Sequence, residues 1–298
     1  MHRRKLAIVS AILAASFYAI NIPISKSMLE DVDPSALASL LYLGAGIGMT
    51  FLSIAFRRKD AASRIQRSDL IYVIGMIVLD IAAPILMMKG ISETYSSNAS
   101  LLNNFEIVAT TIIAVILFKE RTSLLFLCAM LLIVVSGIIL GYDGGTMTFD
   151  TGSVYIMGAC LCWGLENNCT RAISGRDPFR IVSIKGIFSG LGCMIVALIA
   201  GESFPGIGFM AGGLVLGFVA YGLSIAFYVR AQRDIGAAKT SAYYSVAPFL
   251  GVMFAFLLLG ERPAMTFYIA LAIMVLATIM MIRDTLGSDD ETVCPSPE

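Results

Sequence analysis

Residues 106–121 read EIVATTIIAVILFKER, and residues 247–262 read APFLGVMFAFLLLGER, 141 positions later. Both are apolar runs that close on Glu-Arg. At the same offset Lys89 falls on Arg230 and Ser100 on Ser241. Nearer the front of each half the offset is 145, carrying Tyr18 onto Trp163, Asn21 onto Glu166, Ser25 onto Thr170 and Lys26 onto Arg171. A change of four residues is what a loop deletion leaves between duplicated helices. The chain is therefore read as an internal repeat.

Of its 298 residues, 58% are apolar and 14% charged, and the mean hydropathy is +0.84. A soluble domain has about a quarter charged residues, so this is the composition of a membrane protein. A bilayer core needs about 20 mostly apolar residues per helix. Ten runs qualify: 6–25, 36–56, 70–88, 95–118, 123–140, 153–170, 181–200, 207–229, 237–259 and 264–282. They are continuous, not alternating, which predicts helices and not a barrel. The basic start Arg3-Arg4-Lys5 invites a signal-peptide reading of the first run. The repeat argues against it, because span one is the counterpart of span six.

Five spans per copy is an odd number, so the second copy enters the membrane from the opposite side. The expected fold is all-α, with ten transmembrane helices in two inverted five-helix repeats, a common design of secondary transporters. The expected units are 1–145, 146–287 and an acidic cytoplasmic tail at 288–298. With the N-terminus inside, 18 of the 21 basic residues fall on the inner side and only Lys26, Lys89 and Arg262 on the outer. By the positive-inside rule both termini face the cytoplasm, in a multi-pass protein of the cell membrane. Lys185 and Lys239 fall inside spans and are expected to snorkel to the inner surface.

These features resemble the drug/metabolite transporter superfamily, EamA type, over essentially the whole chain. The resemblance rests on Tyr18 to Lys26, on Trp163-Gly164 to Arg171, and on Ala247-Pro248 through Gly260-Glu261-Arg262. It implies transport of small metabolites, amino acids or drug-like solutes. The first half departs from the pattern, with Ile107 where the family often has proline and Lys119 in place of glycine. Span four is thus expected to be straighter and stiffer than span nine, which carries Pro248.

Several chemistries are unavailable. The lone His2 removes nearly all histidine-based catalysis and His-ligated metal. Zero formal net charge gives no nucleic-acid footprint. No strand precedes any glycine cluster, so no phosphate loop is present. Gly44, Gly46 and Gly48, with the pairs Gly186/Gly190 and Gly213/Gly217, read as close helix contacts. No cofactor is expected, and the six scattered cysteines form no disulfide framework.

Acidic residues inside a membrane are costly, about 2.5–3.5 kcal/mol at mid-span on insertion scales, and mark candidate sites. There are three. Glu106 lies mid-way along span four, on a stripe with Ala99, Asn103 and Thr110. Asp80 lies one turn before Pro84, which frees the Asp80 carbonyl. Glu166 shares a face with Trp163, Asn167 and Thr170, and either lines an inner gate or pairs with Arg171 or an inner-loop arginine. Each could instead be a structural partner. Tyr18, Asn21, Tyr221 and Tyr244 complete the candidate set as cavity walls or packing.

The expected function is a secondary transporter of a small organic solute by alternating access, proton-coupled through Glu106 or Asp80 and favouring export. A passive facilitator is the alternative; an intramembrane enzyme lacks a nucleophile constellation. A multivalent anion is expected to fit poorly, because no basic residue is placed at the centre. The partners expected are the solute, protons and lipid, with the chain a monomer or homodimer.

Overall fold

A computed structural model describes residues 2–55, 66–118, 123–140, 142–143, 146–147, 150–173, 178–235, 240 and 243–291. Lys119, Glu120 and Arg121, Lys239, Ser241 and Cys294 lie outside the described residues, as do most of the 57–67 basic loop and the end of the acidic tail. The side chain of Arg171 is likewise not described.

Ten spans follow one another. Span one is His2–Ala19 continued by Asn21–Met28, with a break at Ile20. Spans two and three are Pro34–Ala55 and Leu70–Glu93. Span four is Ser96–Leu102 then Phe105–Phe118, and span five is Leu124–Leu140. A short hairpin, with Tyr142 opposite Met147 and Asp143 opposite Thr146, links the halves. Spans six and seven are Thr151–Ala172 and Pro178–Ile199. Span eight is Ile207–Gly217, a π-helical stretch Phe218–Leu223, then Ser224–Ile235. The described helix of span nine is Ala247–Leu259, and span ten is Met265–Glu291. Among the described residues, six helices are long and apolar enough to cross a membrane on their own, and Leu124–Leu140 and Ala247–Leu259 are shorter apolar helices. Spans four and six fall short of that measure for opposite reasons. Span four is cut in two, and span six carries Glu166, Asn167 and Asn168 on a 22-residue helix.

The inverted duplication is visible in the packing. Span one lies on span eight, as span six lies on span three; span two lies on span seven, span four on span nine and span five on span ten. Each pairing joins one half to the other. Span two is held by the glycines. A methyl group on Gly46 would come within 2.5 Å of the Ile187 amide nitrogen, and one on Gly186 within 2.6 Å of Gly46 itself. One on Gly217 would meet the Leu41 carbonyl at 2.0 Å. Only hydrogen fits, so backbones touch directly, as such spacings allow.

Span four is not the straighter partner. It breaks at Asn103-Asn104, and the counterpart break in span nine lies at Ser245-Val246, just before Ala247-Pro248. Proline is not needed in the first half. Asparagine side chains compete for backbone groups, and Asn104 Nδ2 donates to the Leu101 carbonyl at 3.1 Å, in place of regular helix.

An even number of spans places both chain ends on one face, here called the N face. The apolar core fills the other, far end: Met28, Val32, Leu37, Met88, Ile91 and Leu102 are among its members. That end is also clamped. Gly260 ends span nine with φ +63°, a left-handed conformation that glycine adopts without strain. The turn aims Glu261 at the start of span four, where its two oxygens accept from the amides of Ser96 (2.7 Å) and Ser97 (2.8 Å). Lys26 Nζ donates to the carbonyls of Ile91 (2.8 Å) and Ser92 (3.1 Å) at the end of span three. An anion thus meets a helix start and a cation a helix end, the favourable sense for both dipoles.

Candidate solute-binding site

Between the halves, in the part of the bundle toward the N face, lies a cavity of about 630 Å³. Breaks and bulges build it. The break in span four turns Asn103 and Glu106 into it, span six supplies Trp163 and Glu166, and the π-helical stretch of span eight supplies Tyr221. Irregular backbone at membrane depth is tolerated where it lines such a space. Seven of the nine residues singled out from sequence line it: Tyr18, Asn103, Glu106, Trp163, Glu166, Tyr221 and Tyr244. The other two stand one layer behind. Asn21 Nδ2 donates to the Tyr221 hydroxyl at 3.0 Å, and its own Oδ1 accepts from Ser25 at 3.2 Å. Asp80 is fully buried and accepts from the Tyr42 hydroxyl at 3.1 Å.

Lys185 does not snorkel to the surface. Its Nζ lies 3.0 Å from Asp80 Oδ2 and 2.9 Å from Glu166 Oε2, and its side chain is 21% exposed. The hydropathy run starts at residue 181, whereas the helix starts at Pro178. Seven residues at 1.5 Å each put Lys185 roughly 10 Å in from that start. The centre therefore does hold a basic residue, but two carboxylates share it. The same lysine is a partner of Glu166, which both lines the cavity and forms an ion pair; the side chain of Arg171, one of the partners considered from sequence, lies outside the described residues. Thr170 Oγ1 also donates to Glu166 Oε1.

Tyr42 escaped the sequence reading altogether. It lies in the glycine-rich face of span two, where nothing but packing is legible. Its hydroxyl donates to Asp80 and accepts from Trp163 Nε1 at 3.2 Å, so one chain of bonds joins spans two, three and six. Rings cover the rest of the wall. Tyr18 stands edge-on to Tyr221 with centroids 5.9 Å apart, and Tyr244 lies 5.9 Å from Tyr18 and 5.2 Å from Tyr228.

Glu106 has different company. Asn167 Nδ2 donates to its Oε1 at 2.7 Å and to Thr110 Oγ1 at 3.3 Å. Among the described residues no cationic group pairs with it and no side chain bonds its Oε2. One turn earlier Asn103 Nδ2 donates to the Tyr18 hydroxyl at 3.2 Å, while Asn103 Oδ1 is buried without a partner. Two carboxylates thus share one ammonium, and a third, Glu106, stands in the same aromatic-walled space outside that ion pair. Among the described residues no group of His, Cys, Asp and Glu is placed to hold a metal.

A bundle of inverted repeats around a central cavity with aromatic walls and buried carboxylates is the architecture of a multi-pass membrane transporter. The chain belongs to the EamA-like transporter family, whose pattern it matches twice, over residues 5–142 and 150–283. It is 27% identical over 278 residues to an uncharacterized transporter of Methanothermobacter thermautotrophicus, covering 87% of this chain and 81% of that one. It is 26% identical over 156 residues to the inner membrane transporter YedA of Escherichia coli, covering about half of each chain, 51% and 50%. The transporter YyaM of Bacillus subtilis is 20% identical over 275 residues, 86% of this chain and 87% of the relative. A solved crystal structure shares the fold with a TM-score of 0.66 at 14% identity, covering 93% of this chain and 95% of the other.

Proposed function

We propose that this protein is a secondary carrier that moves a small organic solute across the cell membrane by alternating access. The observation that supports this most is the asymmetry of the bundle. Its cavity is walled by both halves toward the N face, while the far end is filled by core and clamped through Glu261 and Lys26. In an inverted repeat the halves can exchange conformations, which moves the closed end to the other side. With the N face in the cytoplasm, this arrangement is the inward-facing state, ready to load solute for export. Glu106 carries the coupling proton, because it is the one cavity carboxylate without a cationic partner among the described residues.

The test is transport in proteoliposomes across a panel of metabolites and amines. Saturable counterflow is expected for a carrier, and flux that rises linearly with concentration would favour a passive facilitator. Glu106→Gln keeps size and hydrogen bonding but cannot release a proton. It is expected to abolish accumulation driven by a pH gradient while leaving expression and insertion intact. Undiminished pH-driven accumulation by that variant would refute coupling through Glu106.

A further inference from the structure

The carrier reading leaves the solute open among cations, zwitterions and neutral compounds, and the cavity's hydrogen-bonding groups narrow it. Asn103 lines the cavity while only 7% exposed, and its Oδ1 is buried without a partner. A buried acceptor left unbonded is costly. The donor end of the same amide is already committed to Tyr18. One turn along the same wall, Glu106 Oε2 is a second acceptor that no described side chain bonds. The charged donor in the cavity, Lys185, is held by Asp80 and Glu166. What is in short supply among the described residues is therefore N–H donors carrying positive charge. A carboxylate on the solute would meet Glu106 without a cation of its own.

Resting on the carrier reading above, we infer that the cavity takes a protonated primary or secondary amine with an apolar or aromatic body and no carboxylate. Its N–H groups are donated to Asn103 Oδ1 and Glu106 Oε2. The rings of Tyr18, Tyr244 and Trp163 receive the body and attract the cation through their faces. A charge-assisted hydrogen bond in a desolvated site is stronger than a neutral one, so the amine is preferred over its uncharged analogue. A quaternary ammonium has the charge but no N–H, leaves Asn103 unsatisfied, and ranks below the amine.

Trp163 is the single tryptophan of the chain and lines the cavity, so its fluorescence reports binding without any need for flux. The probes share one body: 2-phenylethylamine, its N,N,N-trimethyl derivative, 2-phenylethanol and phenylalanine. The full-length protein in detergent is expected to bind the amine saturably. The alcohol and phenylalanine should bind about tenfold more weakly or worse, with the quaternary ion between. Glu106→Gln is expected to bring the amine down to the level of the alcohol, and Glu106→Asp, which keeps the charge, to retain the preference. Asn103→Leu should erase the difference between amine and quaternary ion. Phenylalanine binding as tightly as the amine, an unchanged amine affinity in Glu106→Gln, or no saturable response to any probe would each overturn the assignment. Amine binding without saturable counterflow would sink the carrier reading alone. Saturable counterflow of phenylalanine but not the amine would sink the amine assignment alone.

Discussion

The residue that most changes the picture drawn from sequence is Lys185. Its charge sits between two carboxylates from different spans, so it fixes span seven to spans three and six at one point. Removing one member of such a group strands the others. Lys185→Met is expected to cost about 3 kcal/mol of stability, because Asp80 and Glu166 then repel without a counter-ion. Neutralising all three, with Asp80→Asn, Glu166→Gln and Lys185→Met together, should recover most of that loss. Thermal unfolding in detergent reads the difference. A triple variant no more stable than the single one would show that the lysine stem, and not its charge, is what matters. The acids were legible in the sequence because a carboxylate in an apolar run has no bland place to go. The lysine was not, because a cation near a span end has two physically reasonable destinations, and only the true helix start at Pro178 decides between them. Tyr42 was illegible for a simpler reason: a tyrosine among apolar residues carries no charge to explain.

At the level of elements, the helices themselves were readable from hydropathy, but their interruptions only partly so. Proline announced an irregularity at Pro248, whereas Pro84, read as another beside Asp80, lies inside the continuous helix Leu70–Glu93. The break at Asn103-Asn104 and the π-helical stretch at Phe218–Leu223 carried no such mark. Both arise where side-chain or tertiary contacts outcompete the regular backbone ladder, which propensity alone does not reveal. The small-residue contacts were read correctly as packing, and they make a sharp prediction. Gly46 faces the main chain of span seven, with the Ile187 nitrogen 2.5 Å from the place a Cβ would take. Backbone cannot move aside as a side-chain tip does. Gly46→Leu should therefore separate spans two and seven and destabilise the fold by at least about 2 kcal/mol. The same change at Gly208, which has nothing within 4 Å, should be tolerated. Equal melting temperatures for the two variants would contradict the close approach.

For the whole molecule, duplication was the most legible property, since matched residues at two offsets are independent of any structural detail. Sidedness is a separate matter, resting on the loop charges. Tags at both termini are expected to be cytoplasmic, and a cysteine placed at Tyr142 should react with an impermeant thiol reagent added outside intact cells. Labelling of that position only after permeabilisation would reverse the assignment of the faces, and with it the inward-facing description.

The clamp at the far end grips main chain, not side chains. Lys26 holds the carbonyls of Ile91 and Ser92, and Glu261 holds the amides of Ser96 and Ser97. The exposed positions of the turn being held, Ser92, Glu93 and Tyr95, are therefore free to drift in sequence over evolutionary time, while the two residues that hold it are not. Mutational tolerance should be lopsided across the contact. Ser96→Ala leaves the amide in place and should leave transport unchanged. Ser96→Pro keeps a conformation the helix start accepts but deletes the N–H, and should weaken closure as Glu261→Gln does. A mutational scan read out by transport would show the pattern as permissive exposed positions at Ser92, Glu93 and Tyr95 facing two intolerant positions far away in the chain, a signature that side-chain-to-side-chain gates do not leave.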